Sequence, residues 1–175
     1  MRYLLALVLM LNAAAACGGD GDDSPAPAAT GGGPAATPAA AATSPATLPV
    51  ATLVFTSRAG ERIELHAEVA DEPSERARGL MFRESMAEDA GMIFVYDDDH
   101  IGGFYMKDTL IPLSIAFVAA DGTIVDIQDM EPETLDTHRP PEPYRHAIEA
   151  NQGWFQRNGI APGDRVEIPE GVAPP

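Results

Sequence analysis

The chain has 175 residues, with 27 acidic against 11 basic side chains and a formal net charge of −16. So acidic a surface repels phosphate backbones, which excludes a role resting on electrostatic attraction to nucleic acid. The first 49 residues lack the patterning of a packed core, so one ordinary domain is expected, over residues 50–175.

Arg2 is the only charge before Cys17, and the apolar run from Leu4 to Leu11 is followed by Asn12 and four alanines. A basic start, a short apolar stretch and small residues before a cleavage point describe a signal peptide over residues 1–16, too short to span a bilayer. Cys17 is the single cysteine, so no intramolecular disulfide can form. Following Ala14-Ala15-Ala16, it resembles the lipidated cysteine of a bacterial lipobox, although Leu is usual where Ala14 stands. The expectation is an exported chain lipidated at Cys17 and held on a membrane by acyl chains worth about 0.8 kcal/mol per buried methylene. Gly18, rather than Asp, follows the cysteine, and this resembles the sorting pattern that leads to the periplasmic face of the outer membrane. From Gly18 to Pro49 the chain is Ala, Pro, Gly, Thr and Ser with three early Asp, a composition expected to form a disordered tether.

Leu53-Val54-Phe55 begins the structured part, and after the turn-like Arg58-Ala59-Gly60 the residues Ile63, Leu65, Ala67 and Val69 alternate with polar ones. That period of two predicts a half-buried strand paired to the first as a hairpin. A short helix is predicted from Pro73 to Leu80, with proline at its first position, acids early and arginines late. Gly79 fits there only as a helix end or a point of close packing. Gly91 to Tyr96 reads as a strand buried on both faces, bounded by Asp97-Asp98-Asp99, which is expected to be a solvated loop. Asp121-Gly122 between the apolar runs Leu113–Val118 and Thr123–Met130 signals a second hairpin. Glu131 to Tyr144 is expected to be a long surface loop, Ala147 to Ala150 a strand, Gly153 to Gly159 one or two helical turns, and Arg165 to Ile168 a last strand. The fold class is therefore mostly β (α+β), with one or two short helices.

Six ordered pieces resemble the family called domain of unknown function 192, DUF192. They are Glu75-Arg-Ala-Arg-Gly-Leu-Met-Phe-Arg, Gly91-Met-Ile-Phe-Val-Tyr, Phe104-Tyr-Met-Lys-Asp-Thr-Leu-Ile-Pro-Leu, Asp121-Gly-Thr-Ile-Val, Ala147-Ile-Glu-Ala-Asn-Gln-Gly and Gly159-Ile-Ala-Pro-Gly-Asp-Arg-Val. The resemblance implies a small β-barrel-like domain over about Thr52 to Ile168, with no established activity. Tyr105 and Asp108 stand where the family usually has Trp and Asn.

Lys107 is the only lysine beside ten arginines, and it lies between apolar segments. With Asp108 and Thr109 it would present an ammonium, a carboxylate and a hydroxyl on one turn, at the mouth of a barrel where small-molecule sites commonly sit. A structural Lys107–Asp108 pair is the simpler account, and a Lys nucleophile or base would need desolvation. Glu149 sits among apolar residues and is expected to pair with Arg76 or Arg78 if buried. The candidate ligand-binding set is Arg78, Tyr105, Met106, Lys107, Asp108, Thr109 and Glu149.

The histidines show no zinc spacing, the Asp97–Asp99 run does not match a calcium loop, and no nucleophile elbow, phosphate loop or dinucleotide fingerprint occurs. No cofactor or metal is expected, and there is no recognisable catalytic set. The reading is an envelope lipoprotein with a binding or accessory module for a small polar ligand or envelope glycan. The alternatives are an envelope-polymer hydrolase and a structural or protein-interaction lipoprotein.

Overall fold

The computed structural model describes residues 47–172. The expected signal peptide, Cys17 and nearly all of the expected tether lie outside the described residues. The strands are β1 (Val50–Thr56), β2 (Arg62–Ala70), β3 (Ala90–His100), β4 (Leu113–Val118), β5 (Ile124–Met130), β6 (Tyr144–Asn151) and β7 (Arg165–Glu167). Two short helices, α1 (Pro73–Arg78) and α2 (Trp154–Arg157), complete the set. The fold is mostly β, in the class the periodicity and the resemblance indicated.

All seven strands form one sheet in the order β5-β4-β6-β3-β2-β1-β7. Leu53 pairs with Leu65 and Phe55 with Ile63, so the alternation read in the sequence faces one side of the β1–β2 hairpin. The sheet curls far enough for its edges to meet. Thr123, next to β5, bridges to Arg165 of β7, and the Ile124 amide donates to the Asp164 carbonyl at 2.9 Å. At this short seam the two edges cover one another instead of standing open to other chains.

One face of the curled sheet encloses a core that includes Leu53, Phe55, Leu65, Ile93, Val118, Ile148, Trp154 and Phe155. The Phe55 ring meets Trp154 and Phe155 edge-on, at 5.4 and 5.7 Å between centroids. The Trp154 indole N–H is not orphaned by burial, because it donates to Asp89 Oδ1 at 3.0 Å. A second apolar cluster, with Leu80, Met92, Phe94, Leu113, Ile115 and Phe117, lies on the other face.

That second face is covered because of strand direction. β2 and β3 are parallel neighbours. β3 and β4 are both antiparallel to the β6 that lies between them, and so run the same way. A chain joining parallel strands must cross a face of the sheet. The segments 71–89 and 101–112 are these two crossings.

Two elements differ from the sequence reading. β3 continues through Asp97, Asp98 and Asp99 to His100, with a break in register between Val95 and His100. The triplet is an exposed strand end, engaged by Arg145, which donates to Asp99 Oδ1 at 3.1 Å and to the Asp97 carbonyl at 2.9 Å. Apolar patterning stops where the strand leaves the core, and backbone pairing resumes only at His100, opposite Tyr144. In the same way β6 starts at Tyr144, inside the stretch assigned to a loop.

Candidate functional site

α1 starts with Pro73 at its first turn, and the Glu75 carboxylate accepts from the Glu72 amide at 3.1 Å. It closes at Gly79, whose φ of 49° suits glycine and whose amide donates to the Glu75 carbonyl at 2.8 Å. A side chain there would also meet the Phe94 ring, at 3.3 Å from the ideal Cβ position. Glycine thus both ends the helix and lets the chain lie close on β3.

The other crossing is shaped by a turn. The Thr109 amide donates to the Met106 carbonyl at 3.1 Å, and Asp108 between them has φ +55°. Outside glycine, Asn and Asp are the residues that best tolerate this left-handed conformation. Asp108 therefore meets a backbone demand that Asn would meet as well. The Asp108 carbonyl accepts from the Phe82 amide at 2.7 Å, tying the two crossings together.

Between these crossings and the sheet lies a pocket of about 140 Å³. Its sheet-side wall includes Phe94 and Tyr96 of β3 and Glu149 of β6; Arg76 and Arg78 border it from α1, and Tyr105 and Thr109 from the second crossing. Glu149 pairs in register with Met92 and Ile115, in the middle of the sheet, and is only 5% exposed. No ion pair or side-chain hydrogen bond to its carboxyl forms among the described residues. Burial pushes that carboxyl up to about 8, so it is protonated at neutral pH.

The expected Arg–Glu149 ion pair does not form. Arg76 instead donates to the carbonyls of Asp71 and Val95, the latter at 2.9 Å, and lies over the Tyr96 ring at 5.1 Å. Arg78 is exposed at the pocket's edge and makes no ion pair among the described residues.

The structure separates the sequence candidates. Arg78, Tyr105, Thr109 and Glu149 border one pocket, whereas Met106, Lys107 and Asp108 are not part of its lining. Met106 is core, 1% exposed. The Lys107 side chain is 60% exposed, with Nζ 3.9 Å from Asp108 Oδ2. It is exposed although Met106 and Thr109, on either side of it in the turn, are buried. Arg76, Phe94 and Tyr96 belong to the pocket and were not in the candidate set. The signal that could have found Tyr96 is its place two residues after Phe94, on the same side of an expected strand.

The second buried titratable group is His146 on β6, 4% exposed, with neither ring nitrogen hydrogen-bonded. Burial pulls it down to about 4, so it is neutral in the core.

No curated protein matches the chain. A crystal structure of a candidate transcription regulator from Sinorhizobium meliloti 1021 is similar, with TM-score 0.69 and 34% identity over 70% of this chain and 96% of that one. A protein of unknown function from Novosphingobium aromaticivorans DSM 12444 is also similar, with TM-score 0.66 and 34% identity over 69% of this chain and 86% of that one. The family DUF192, described as an uncharacterized ACR, matches residues 54–168, which span the whole sheet and both helices apart from the first residues of β1. The chain belongs to the DUF192 family.

Proposed function

We propose that this chain is a membrane-tethered envelope lipoprotein whose DUF192 domain binds a small polar ligand in the pocket over Glu149. One observation carries the binding reading: a carboxyl buried in the middle of the sheet, without a protein partner, facing a pocket edged by arginine and aromatic side chains. A buried polar group left unpaired costs about 1–3 kcal/mol, and a bound ligand would offset that cost. The lipoprotein part rests on the sequence around Cys17.

A hydrolase would need a second acid or a base beside the first, and among the described residues Glu149 is the only acidic one lining the pocket. The name of the Sinorhizobium meliloti neighbour suggests gene regulation. With a net charge of −16, this chain lacks the electrostatic means for direct contact with DNA. A protein-interaction role draws support from four exposed apolar side chains, Phe82, Tyr105, Leu110 and Leu135, on the chain segments around the Met106–Thr109 turn.

A melting-shift screen of small polar compounds and short glycans on the full chain tests the binding reading. A ligand that raises the melting temperature should perturb the NMR signals of Tyr96, Tyr105 and Phe94. If every stabilising compound perturbs other residues only, the pocket is not the site. Mass spectrometry of the membrane-extracted N-terminal peptide tests the anchor. An acylated Cys17 is expected, and an intact leader or a free thiol there would rule it out.

A further inference from the structure

We propose that the pocket over Glu149 takes a small carboxylate, held between the Glu149 carboxyl at its base and the Arg78 guanidinium at its edge. This rests on the pocket being a small-ligand site and names the chemistry it selects.

The polar groups around the cavity are few, and each limits what can enter. Arg76 is held in place by two backbone carbonyls and by the Tyr96 ring. Arg78, by contrast, makes no ion pair among the described residues. Arg76 and Arg78 line the pocket and its one acid, Glu149, is uncharged, so the charged side chains around it are cationic although the whole chain carries −16. Cationic ligands are therefore disfavoured, and anions favoured.

A protonated carboxyl has one O–H to donate. A ligand carboxylate can accept that O–H on one oxygen and a guanidinium N–H on the other, so both of its charge-bearing oxygens are satisfied. A phosphate dianion has more acceptor oxygens than the Glu149 hydroxyl, the Arg78 guanidinium and the Thr109 hydroxyl can serve. A neutral amide or sugar gains no charge-assisted bond from Arg78. Size narrows the class further, since a cavity of about 150 Å³ accommodates a benzene ring and this one measures about 140 Å³. Leu80, Phe94 and Phe104 give it an apolar wall suited to a short alkyl chain or one ring.

This arrangement couples binding to a proton. Facing Glu149 are Arg76 and Arg78 from α1, Tyr96 from β3, and Tyr105 and Thr109 from the second crossing, while its strand neighbours Met92 and Ile115 are uncharged. Burial pushes Tyr96 upward. Once Glu149 ionises it loses its donor and repels the ligand. Affinity should then fall about tenfold per pH unit above that point.

Titration calorimetry on the full chain with propionate and benzoate, against their isosteric amides, inorganic phosphate and glucose, tests this. The carboxylates should bind at least about tenfold more tightly than the amides, the worth of one charge-assisted bond. Their affinity should decline above about pH 8. Glu149→Gln keeps an N–H donor at every pH, so it should retain binding and lose the decline. Arg78→Gln should weaken carboxylate binding about tenfold and leave amide binding unchanged. Equal affinity for acid and amide, preferred binding of phosphate or glucose, or a decline that persists in Glu149→Gln would each overturn the carboxylate assignment while leaving a small-ligand pocket standing. If none of these probes binds, the assignment also falls, and the broader reading falls with it only if the melting-shift screen is blank too.

Discussion

Glu149 and His146 lie three residues apart on β6, on opposite faces of the sheet. Each is buried in its neutral form, and their effects on stability have opposite signs. For Glu149 the folded value of about 8 lies above the ordinary 4.5. Its contribution is fully present below pH 4.5 and is lost as pH rises through about 8. Glu149→Gln removes that loss. By denaturant titration it should gain on the wild type with rising pH, by about 5 kcal/mol at most above pH 8. For His146 the folded value of about 4 lies below 6.5, so its contribution is present above pH 6.5 and is lost as pH falls through about 4. His146→Leu should resist acid better, keeping about 3 kcal/mol that the wild type loses over that window. An equal acid transition in both proteins would show that other groups drive unfolding.

At the scale of elements, the pocket depends on close backbone approach. Gly91 of β3 lies so near β6 that a Cβ would stand 2.3 Å from the Glu149 carbonyl oxygen. Gly91→Ala must separate the two strands and should cost about 1–3 kcal/mol in chemical denaturation. The turn at Asp108 obeys a different rule. With φ at +55°, Asp108→Gly should be tolerated, whereas Asp108→Val should lose about 1–2 kcal/mol. Both effects would be read as shifts in the unfolding midpoint. The β1–β2 hairpin was legible because its alternation follows the pleat, and the stop at Gly79 was legible because glycine fits few helix positions. The ends of β3 and β6 were not. Beyond Val95 the β3–β6 register breaks and resumes only at His100 with Tyr144, through backbone groups that every residue carries, so the exposed Asp97 to Asp99 give no sign that the strand continues.

For the whole molecule, Asp164 lies at the seam where the edges of the curled sheet meet. Its carboxylate is 3% exposed at the residue level, accepts from the Ala161 amide at 2.8 Å, and lies 3.5 Å from the Arg58 guanidinium. The same residue's carbonyl accepts from Ile124, at the start of β5. Asp164→Ala removes the side-chain tie and should cost about 1.5–3 kcal/mol, the range for hydrogen bonds to charged groups. Amide exchange should then be fastest at Ile124 and Val166, the residues of the seam. Uniform exchange across the sheet would show that the seam has no special weight.

The residues by themselves determined the strand-rich class, the first hairpin, the family and the acidic character, because these follow from local periodicity, ordered short pieces and composition. They also marked Glu149 as an acid set in apolar surroundings. Only the tertiary structure decided which groups surround it. Two parallel relationships, β2 with β3 and β3 with β4, forced two crossings over one face, and those crossings bring Arg78, Tyr105 and Thr109 to Glu149. The same geometry buried Met106 and Thr109 and left Lys107 between them exposed. Strand order and direction are set by long-range pairing of backbone groups common to all residues, and a local pattern cannot encode them.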